Sequence, residues 1–155
     1  MINNDVLRSI RYMLDLSDIK VAEIARLADD TLTLDKDDVK SFLASEDSQG
    51  FVECSDAVLA RFLDGLIIFR RGRNDSTLAR AIEKRITNNL VLKKLRVAFE
   101  LKDDDMHAIF VEADFPVTKP ELSALFRQPG HKHFRPCGDQ MLRNFLKGLT
   151  LRLRG

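Results

Sequence analysis

The amino-acid sequence contains two copies of one pattern, and this duplication constrains the fold more than any other feature. Each copy begins with two asparagines, an apolar pair and an arginine, 85 residues apart: Asn3-Asn4-x-Val6-Leu7-x-x-x-Arg11 and Asn88-Asn89-x-Val91-Leu92-x-x-x-Arg96. Each copy ends with a second shared pattern, 83 residues apart: Phe51-x-x-Cys54-x-Asp56-x-x-Leu59-x-x-Phe62-Leu63-x-Gly65-Leu66 and Phe134-x-x-Cys137-x-Asp139-x-x-Leu142-x-x-Phe145-Leu146-x-Gly148-Leu149. Such self-similarity predicts two copies of one structural unit.

The duplication sets the expected organisation of the 155-residue chain. We expect a first helical repeat at residues 1–72, a linker at residues 73–87, and a second repeat at residues 88–155. Within the linker, residues 77–86 are compatible with a short helix. A repeat that cannot cover its own apolar face buries it on its twin, so we expect the two repeats to pack into one compact, pseudo-symmetric unit.

Apolar residues recur at helical spacing in each copy, which predicts four helices per repeat and an all-α fold. The third helix of each repeat has the clearest start, because Asp35-x-x-Asp38 and Thr118-x-x-Glu121 resemble capping boxes. The fourth helix ends in arginines followed by a glycine, which is a helix stop signal. No stretch of useful length alternates polar and apolar residues as a strand would.

The paired asparagines have a structural interpretation. Asn4 and Asn89 are expected to cap the first helix of each repeat. Only one asparagine can cap a given helix, so Asn3 and Asn88 are expected to form amide hydrogen bonds across the interface between the repeats.

Two further repeated residue types also favour structural roles. Gly65 and Gly148 fall inside the fourth helix, where glycine costs about 1 kcal/mol relative to alanine. This cost predicts a close crossing of the fourth helix with the first helix or with the other fourth helix. The functional alternative is a groove at the glycine. Cys54 and Cys137 occupy equivalent positions, and we interpret them as buried free thiols rather than as a disulfide.

Each repeat also carries one arginine and one aspartate that could form a pair, Arg11 with Asp56 and Arg96 with Asp139. The arginine lies on the first helix and the aspartate in the first turn of the fourth. A bidentate ion pair would therefore join the two helices. The functional alternative is an arginine clamp that works with a carboxylate in a cleft.

Composition excludes several classes of protein. Hydrophobic residues make up 45% of the chain and charged residues 32%, which indicates a folded, soluble protein rather than a disordered one. No run approaches the 18 or so apolar residues of a membrane span. The first residues lack the basic and apolar regions of a signal peptide, so a cytoplasmic protein without membrane association is expected.

The net charge of +1 conceals a division along the chain. Residues 1–72 hold 9 Lys and Arg against 14 Asp and Glu, whereas residues 88–155 hold 12 against 8. An acidic repeat is thus joined to a basic one. Such asymmetry bears on partners and association rather than on the fold.

The sharpest charge contrast lies in the loop before the cysteine. The second repeat has a cationic loop at residues 127–135, whereas the equivalent residues 44–52 are acidic. Cationic loops with exposed donors suit contact with nucleic-acid phosphates. The candidate contacts are Lys119, Arg127, His131, Lys132, His133 and Arg135. The alternative interpretation is a solvated loop without a ligand.

Other chemistry has little support in the sequence. His131-x-His133 followed by Cys137 offers too few ligands for a structural metal site, so no metal and no cofactor are predicted. The acids between Asp29 and Asp38 lack the glycine and closing glutamate of a calcium loop. Phosphate-binding loops, nucleophile elbows and dinucleotide fingerprints are absent from the sequence. We therefore nominate no catalytic residue and expect a protein that is not an enzyme.

The two shared patterns resemble those of the bacterial YehS-like family, domain of unknown function 1456, whose members contain two tandem copies. The resemblance covers nearly the whole chain, including Lys93-Lys94-Leu95-Arg96 and Cys137-Gly138-Asp139-Gln140. It implies a bacterial, cytoplasmic, duplicated helical protein. It implies no particular activity, ligand or catalytic residue.

Three functional hypotheses follow. The first is a non-enzymatic binding protein that acts through its helical surface on a protein partner or on a second copy of itself, since an acidic and a basic half can associate head to tail. The second is a nucleic-acid-binding regulator that uses the basic repeat, whose second and third helices have the outline of a helix-turn-helix. The third is an enzyme or small-ligand binder with a pocket between the repeats, around Arg11, Asp56, Arg96 and Asp139.

Overall fold

The computed structural model describes residues 1–73 and 85–155, and within these ranges it contains eight α-helices and no strand. The all-α prediction is therefore confirmed. The helices are α1 Asn3–Leu14, α2 Asp18–Ala28, α3 Lys36–Leu43, α4 Asp56–Arg71, α5 Asn88–Ala98, α6 Asp103–Glu112, α7 Lys119–Leu125 and α8 Asp139–Arg154. The short helix expected at residues 77–86 lies almost entirely outside the described residues.

The chain divides into two compact units, Met1–Ile86 and Thr87–Gly155, and each unit has a core of its own. The sequence predicted one packed unit for both repeats. Each unit buries the apolar stripes of its own four helices. The packing of one repeat on the other remains a prediction.

The first unit is organised around a close contact between α2 and α4. Gly65 makes this contact possible, because a Cβ atom at that position would lie 1.8 Å from the Ile24 carbonyl oxygen. The backbone of α2 thus rests directly on α4. The largest fully buried side chains of this unit are Leu7, Ile10, Ile24, Leu59, Phe62, Leu63 and Leu66.

The second unit repeats the arrangement with α6 against α8. A Cβ atom on Gly148 would lie 2.2 Å from the Ile109 carbonyl oxygen. The rings of Phe110 and Phe145 meet beside this crossing, with centroids 5.5 Å apart. The predicted close helix approach at both glycines is therefore confirmed. The predicted partner was wrong, because the neighbour is the second helix of the same repeat.

Side-chain caps explain where several helices begin. The hydroxyl groups of Ser17, Ser55 and Thr87 accept hydrogen bonds from backbone N–H groups in the first turns of α2, α4 and α5. Helices α3 and α7 begin with the two predicted capping boxes, formed by Asp35 with Asp38 and by Thr118 with Glu121. These interactions satisfy N–H groups that have no partner within the helix.

The predicted caps at the first helix of each repeat were wrong. Helix α1 begins after Ile2, whose N–H donates to the Asp5 carboxylate (2.9 Å), and α5 is capped by Thr87. Asn4 and Asn89 lie inside these helices, where their amides are free to bond elsewhere. None of the described helices is long and apolar enough to cross a membrane.

Candidate binding loops

The side chain of a helical asparagine fixes the loop that precedes the fourth helix of each repeat. Asn4 is fully buried, and its Nδ2 donates to the carbonyl oxygens of Phe42 and Val52, both at 2.9 Å. Its Oδ1 accepts a hydrogen bond from the Cys54 N–H at 2.9 Å. One amide thus satisfies two carbonyl groups and one N–H group that flank the loop. Both ends of the loop are held against α1.

The second repeat forms the same three hydrogen bonds. Nδ2 of Asn89 donates to the carbonyl oxygens of Leu125 and Arg135, both at 2.9 Å. Its Oδ1 accepts from the Cys137 N–H at 2.8 Å. The two loops are therefore anchored identically, although their sequences differ.

The first asparagine of each pair anchors the fourth helix. Nδ2 of Asn3 donates to the Cys54 carbonyl (3.0 Å) and to Asp56 Oδ1 (2.7 Å). Asn88 does the same with Cys137 (3.0 Å) and Asp139 (2.8 Å). The bonds from Asn3 and Asn88 hold the pKa of each aspartate below its usual value. The predicted bonds across the repeat interface were wrong, because these amides bond within their own repeat.

The predicted pairing of Arg11 with Asp56 was also wrong. Asp56 also accepts a hydrogen bond from the Ile86 N–H (3.1 Å), whereas Arg11 forms an ion pair with Asp18 at 3.3 Å. Asp18 is the first residue of α2, only one short turn beyond the end of α1. The nearer carboxylate therefore binds the guanidinium.

The second repeat shows the same exchange of partners. Arg96 pairs with Asp103 at 2.6 Å, and its guanidinium lies 4.8 Å from the centroid of the Phe126 ring. Asp139 is held by Asn88 instead. The four predicted residues thus hold the helices of their own repeat together, although with other partners.

We define the acidic loop as residues 44–52 and the basic loop as residues 127–135. The acidic loop is closed by three backbone hydrogen bonds: Ser48 N–H to Ser45 O at 3.0 Å, Phe51 N–H to Ser48 O at 3.3 Å, and Val52 N–H to Ser41 O at 3.1 Å. The basic loop has the same three: His131 N–H to Gln128 O at 2.9 Å, Phe134 N–H to His131 O at 3.0 Å, and Arg135 N–H to Ala124 O at 3.1 Å. The backbone path is shared although the charge is opposite.

The acidic loop presents carboxylates to solvent. Glu46, Asp47 and Glu53, the residue that follows the loop, are all exposed. The hydroxyl of Ser45 donates to the Asp47 carboxylate, and this bond lowers the pKa of Asp47. Val52 is also 51% exposed, so an apolar side chain stands beside the carboxylates.

The basic loop presents cations and imidazoles from equivalent positions. Arg127, His131, Lys132 and His133 are all exposed. Nη1 of Arg127 lies 3.4 Å from His131 Nε2, and the two imidazole rings have centroids 5.5 Å apart. The structure therefore brings four of the six predicted contact residues together on one turn.

The remaining two predicted contacts have carboxylate partners in the same unit. Arg135 forms an ion pair with Glu121, and Lys119 lies 3.4 Å from Asp104. The hydrogen bond from Thr118 lowers the pKa of Glu121 most, and the hydrogen bond from Arg135 lowers it further, so this carboxylate stays ionised. An open groove of about 560 Å³ runs beside the loop, lined by Pro120, Glu121, Ser123, Ala124, Arg127, His133 and Arg135.

The two thiols are chemically quiet. Cys54 and Cys137 are buried free cysteines that form no disulfide, as predicted. Burial raises the pKa of Cys54 to about 12 and that of Cys137 to about 11, so both stay protonated near neutral pH. Among residues 1–73 and 85–155, no group of three or more His, Cys, Asp and Glu side chains could hold a metal ion.

Comparison with known proteins agrees with the duplicated geometry. A family model described as "Protein of unknown function (DUF1456)" matches the chain twice, over residues 3–72 and 88–155. The chain belongs to this family. It is 47% identical over 152 residues to the "Uncharacterized protein YehS" of Escherichia coli (strain K12), a match that covers 98% of this chain and 96% of that protein. No solved structure matches the chain significantly.

Sequence reasoning located the basic loop but missed the residues that shape it. Asn4 and Asn89 hold the loop ends, whereas the sequence predicted that they cap helices. A signal was present, because both copies keep the asparagine pair together with the Cys-x-Asp motif that it binds. An amide that both donates and accepts can serve such a bonding set, whereas most side chains cannot.

Proposed function

We propose that this family member is a non-enzymatic binding protein whose basic loop recognises an acidic surface on a protein. The supporting observation is that two loops with the same backbone hydrogen bonds carry opposite charge. Because the fold is satisfied equally by Asp47 and by its counterpart Gly130, it does not require charge at these positions. Charge that the fold does not require is available for recognition.

The number of available cations favours a protein surface over nucleic acid. Lys119 and Arg135 are already paired with Asp104 and Glu121. Duplex DNA carries one charge per ~1.7 Å of helix axis, and its binders commonly neutralise about 6–10 phosphates. Two cations, Arg127 and Lys132, with two neighbouring imidazoles match a cluster of two or three carboxylates better than a phosphate backbone.

The roles of the repeated polar residues favour binding over catalysis. Asn3, Asn4 and Asp56 form local bonds that position helices and loop ends. The two arginines nominated for a ligand pocket are paired within their own units, Arg11 with Asp18 and Arg96 with Asp103. These repeated residues therefore serve the fold, and the two loops are segments whose charge is opposite in the two copies.

Fluorescence anisotropy tests this proposal directly. The probes are a labelled peptide rich in Glu and Asp, and short labelled DNA and RNA, each titrated at about 50 mM and about 200 mM salt. The loop variant is Arg127→Glu/Lys132→Glu. The control is Arg143→Glu/Lys147→Glu, which makes the same charge change at two exposed positions on α8 of the same repeat.

We expect salt-sensitive binding of the acidic peptide that the loop variant weakens at least about tenfold, since two or three exposed ion pairs contribute on this order. The control variant should bind nearly as well as the wild type. Loop-dependent binding of nucleic acid instead of the peptide would replace the proposal with the nucleic-acid-binding alternative. Binding of neither probe, or equal losses in both variants, would remove the basic loop as a recognition site.

A further inference from the structure

We infer that the acidic surface recognised by the basic loop is the acidic loop of a second copy of this chain, so that molecules associate head to tail. This inference rests on the proposed function, because it names the partner of the same loop. It is carried by charge complementarity. One chain exposes Glu46, Asp47 and Glu53 on its first unit, and Arg127 and Lys132 on its second.

The apolar residues around the two loops also match. Val52 is 51% exposed at the end of the acidic loop, directly beside Glu53. The lining of the groove beside the basic loop includes Pro120 and Ala124 together with Arg127, and the carboxylate of Glu121 in this groove is paired with Arg135. A valine side chain entering this groove would be desolvated against Pro120 and Ala124 while the neighbouring carboxylates meet the cations. Apolar contact at the centre with charged groups at the rim is the usual anatomy of a protein interface.

The position of Val52 shows why the docking element is the acidic loop rather than any acidic segment. Val52 is the counterpart of Arg135, and the backbone N–H of each residue is tied to its third helix. The loop therefore presents Val52 and the carboxylates in a fixed geometry. The cluster Asp35, Asp37 and Asp38 differs, because Asp35 and Asp38 are used in the capping box of α3.

The geometry of assembly follows from the location of the two loops. They are different surfaces of the same molecule, so two copies that join through both loop pairs form a closed dimer, whereas two copies that join through one pair make a heterologous contact. Such contacts generate rings when the rotation closes and open chains when it does not. The association should weaken with salt, since exposed charges are screened beyond about 10 Å at 0.1 M ionic strength.

Sedimentation velocity of the full chain tests the inference with two charge-reversal variants. The first, Glu46→Lys/Asp47→Lys, makes both loops cationic, and the second, Arg127→Glu/Lys132→Glu, makes both anionic. All four positions are exposed, so neither variant should lose its fold. Asp30→Lys/Asp37→Lys controls for the charge change, since both aspartates are exposed on the first repeat outside the acidic loop.

We expect the wild type and the control to sediment as concentration-dependent assemblies at low salt and as smaller species at high salt. Each reversal variant alone should remain a monomer, and their equimolar mixture should assemble again because every cationic loop then finds an anionic one. A wild type that is monomeric at every salt and concentration, or a reversal variant that assembles alone, would overturn the inference. In that case loop-dependent binding of the acidic peptide would leave the proposed function standing, whereas its loss would remove both.

Discussion

The acidic loop and the basic loop share one backbone conformation but expose different side chains. Both are closed by the same three backbone hydrogen bonds, and both have their ends held by a helical asparagine, Asn4 or Asn89. Their exposed side chains differ in almost every position, with Glu46 and Asp47 in one and His131 and Lys132 in the other. The comparison shows which part of each repeat the fold constrains and which part it leaves free.

The residues that the fold constrains are the same in both units. The glycine of the fourth helix, the asparagine pair and the buried cysteine make the same contacts in each repeat. At the glycine and at the two asparagines, a residue with a different side chain would disturb a contact with a backbone group. The fold therefore explains why both copies keep these residues, and under our proposal the difference between the two loops bears on function.

The largest effect is expected from Gly65→Ala. The added methyl group would meet the Ile24 carbonyl oxygen at 1.8 Å, and a backbone atom cannot move away as a flexible side chain can. We expect the helices to separate and the free energy of unfolding to fall by about 3 kcal/mol or more, at or above the upper end of the usual cost of overpacking. Urea unfolding followed by circular dichroism measures this loss.

The equivalent substitution in the second unit tests whether the two glycines have the same role. Gly148→Ala should destabilise that unit somewhat less, because its closest approach is 2.2 Å and one of the atoms it meets is a side-chain methyl group of Ile109. Gly50→Ala and Gly130→Ala are matched controls, since a Cβ atom there would have no neighbour within 4 Å. A stable Gly65→Ala variant would show that α2 and α4 are not in backbone contact.

A smaller loss is expected from Asn4→Ala. The substitution leaves two carbonyl oxygens and the Cys54 N–H without the partner that Asn4 provides. An unsatisfied buried polar group costs about 1–3 kcal/mol, and the bond to Val52 is only partly buried, so we expect a loss of about 2 kcal/mol. Asn89→Ala should cost less, since Asn89 is only half-buried.

Asn144→Ala is the matched control for the amide. Its Nδ2 donates to the Gln140 carbonyl (2.8 Å) within α8, a bond that water can replace. We expect a change below about 0.5 kcal/mol in the free energy of unfolding. Equal losses for Asn4→Ala and Asn144→Ala would contradict the view that Asn4 anchors the loop.

The sequence predicted local features well because their causes are local. Helix periodicity, the two capping boxes and the close approach at Gly65 and Gly148 follow from residues within a few positions of each other, or from the cost of glycine in a helix. The all-α repeats could be derived from such signals alone. The opposite charges of the two loops are also visible in the sequence, since they need no knowledge of packing.

The sequence did not predict the long-range hydrogen bonds. Asn4 bonds to residues 38 to 50 positions away, and nothing within its own helix indicates which carbonyl groups lie there. The pairing of Arg11 with Asp56 failed for a related reason. Both residues are repeated and oppositely charged, but Asp18 lies closer to Arg11, and Asn3 satisfies Asp56. Matching charges do not identify partners when a nearer carboxylate is present.

The smallest change in stability is expected from exchanging the loops. This exchange directly tests whether the two loops share one backbone conformation. We consider a variant in which Ser45-Glu46-Asp47-Ser48-Gln49-Gly50-Phe51 is replaced by the sequence of residues 128–134. Both segments have the same length, make the same backbone hydrogen bonds and retain the half-buried phenylalanine. The free energy of unfolding should therefore change by less than about 0.5 kcal/mol, as for exposed substitutions in general. Self-association at low salt should nevertheless be lost, because the first loop then lacks both of its carboxylates and carries a lysine and two histidines in their place. Urea unfolding and sedimentation velocity of the same variant separate these two effects.

A loss of more than about 2 kcal/mol would mean that the acidic sequence is needed for folding. The difference between the loops would then be a structural requirement of the first repeat and could no longer be taken as evidence for recognition.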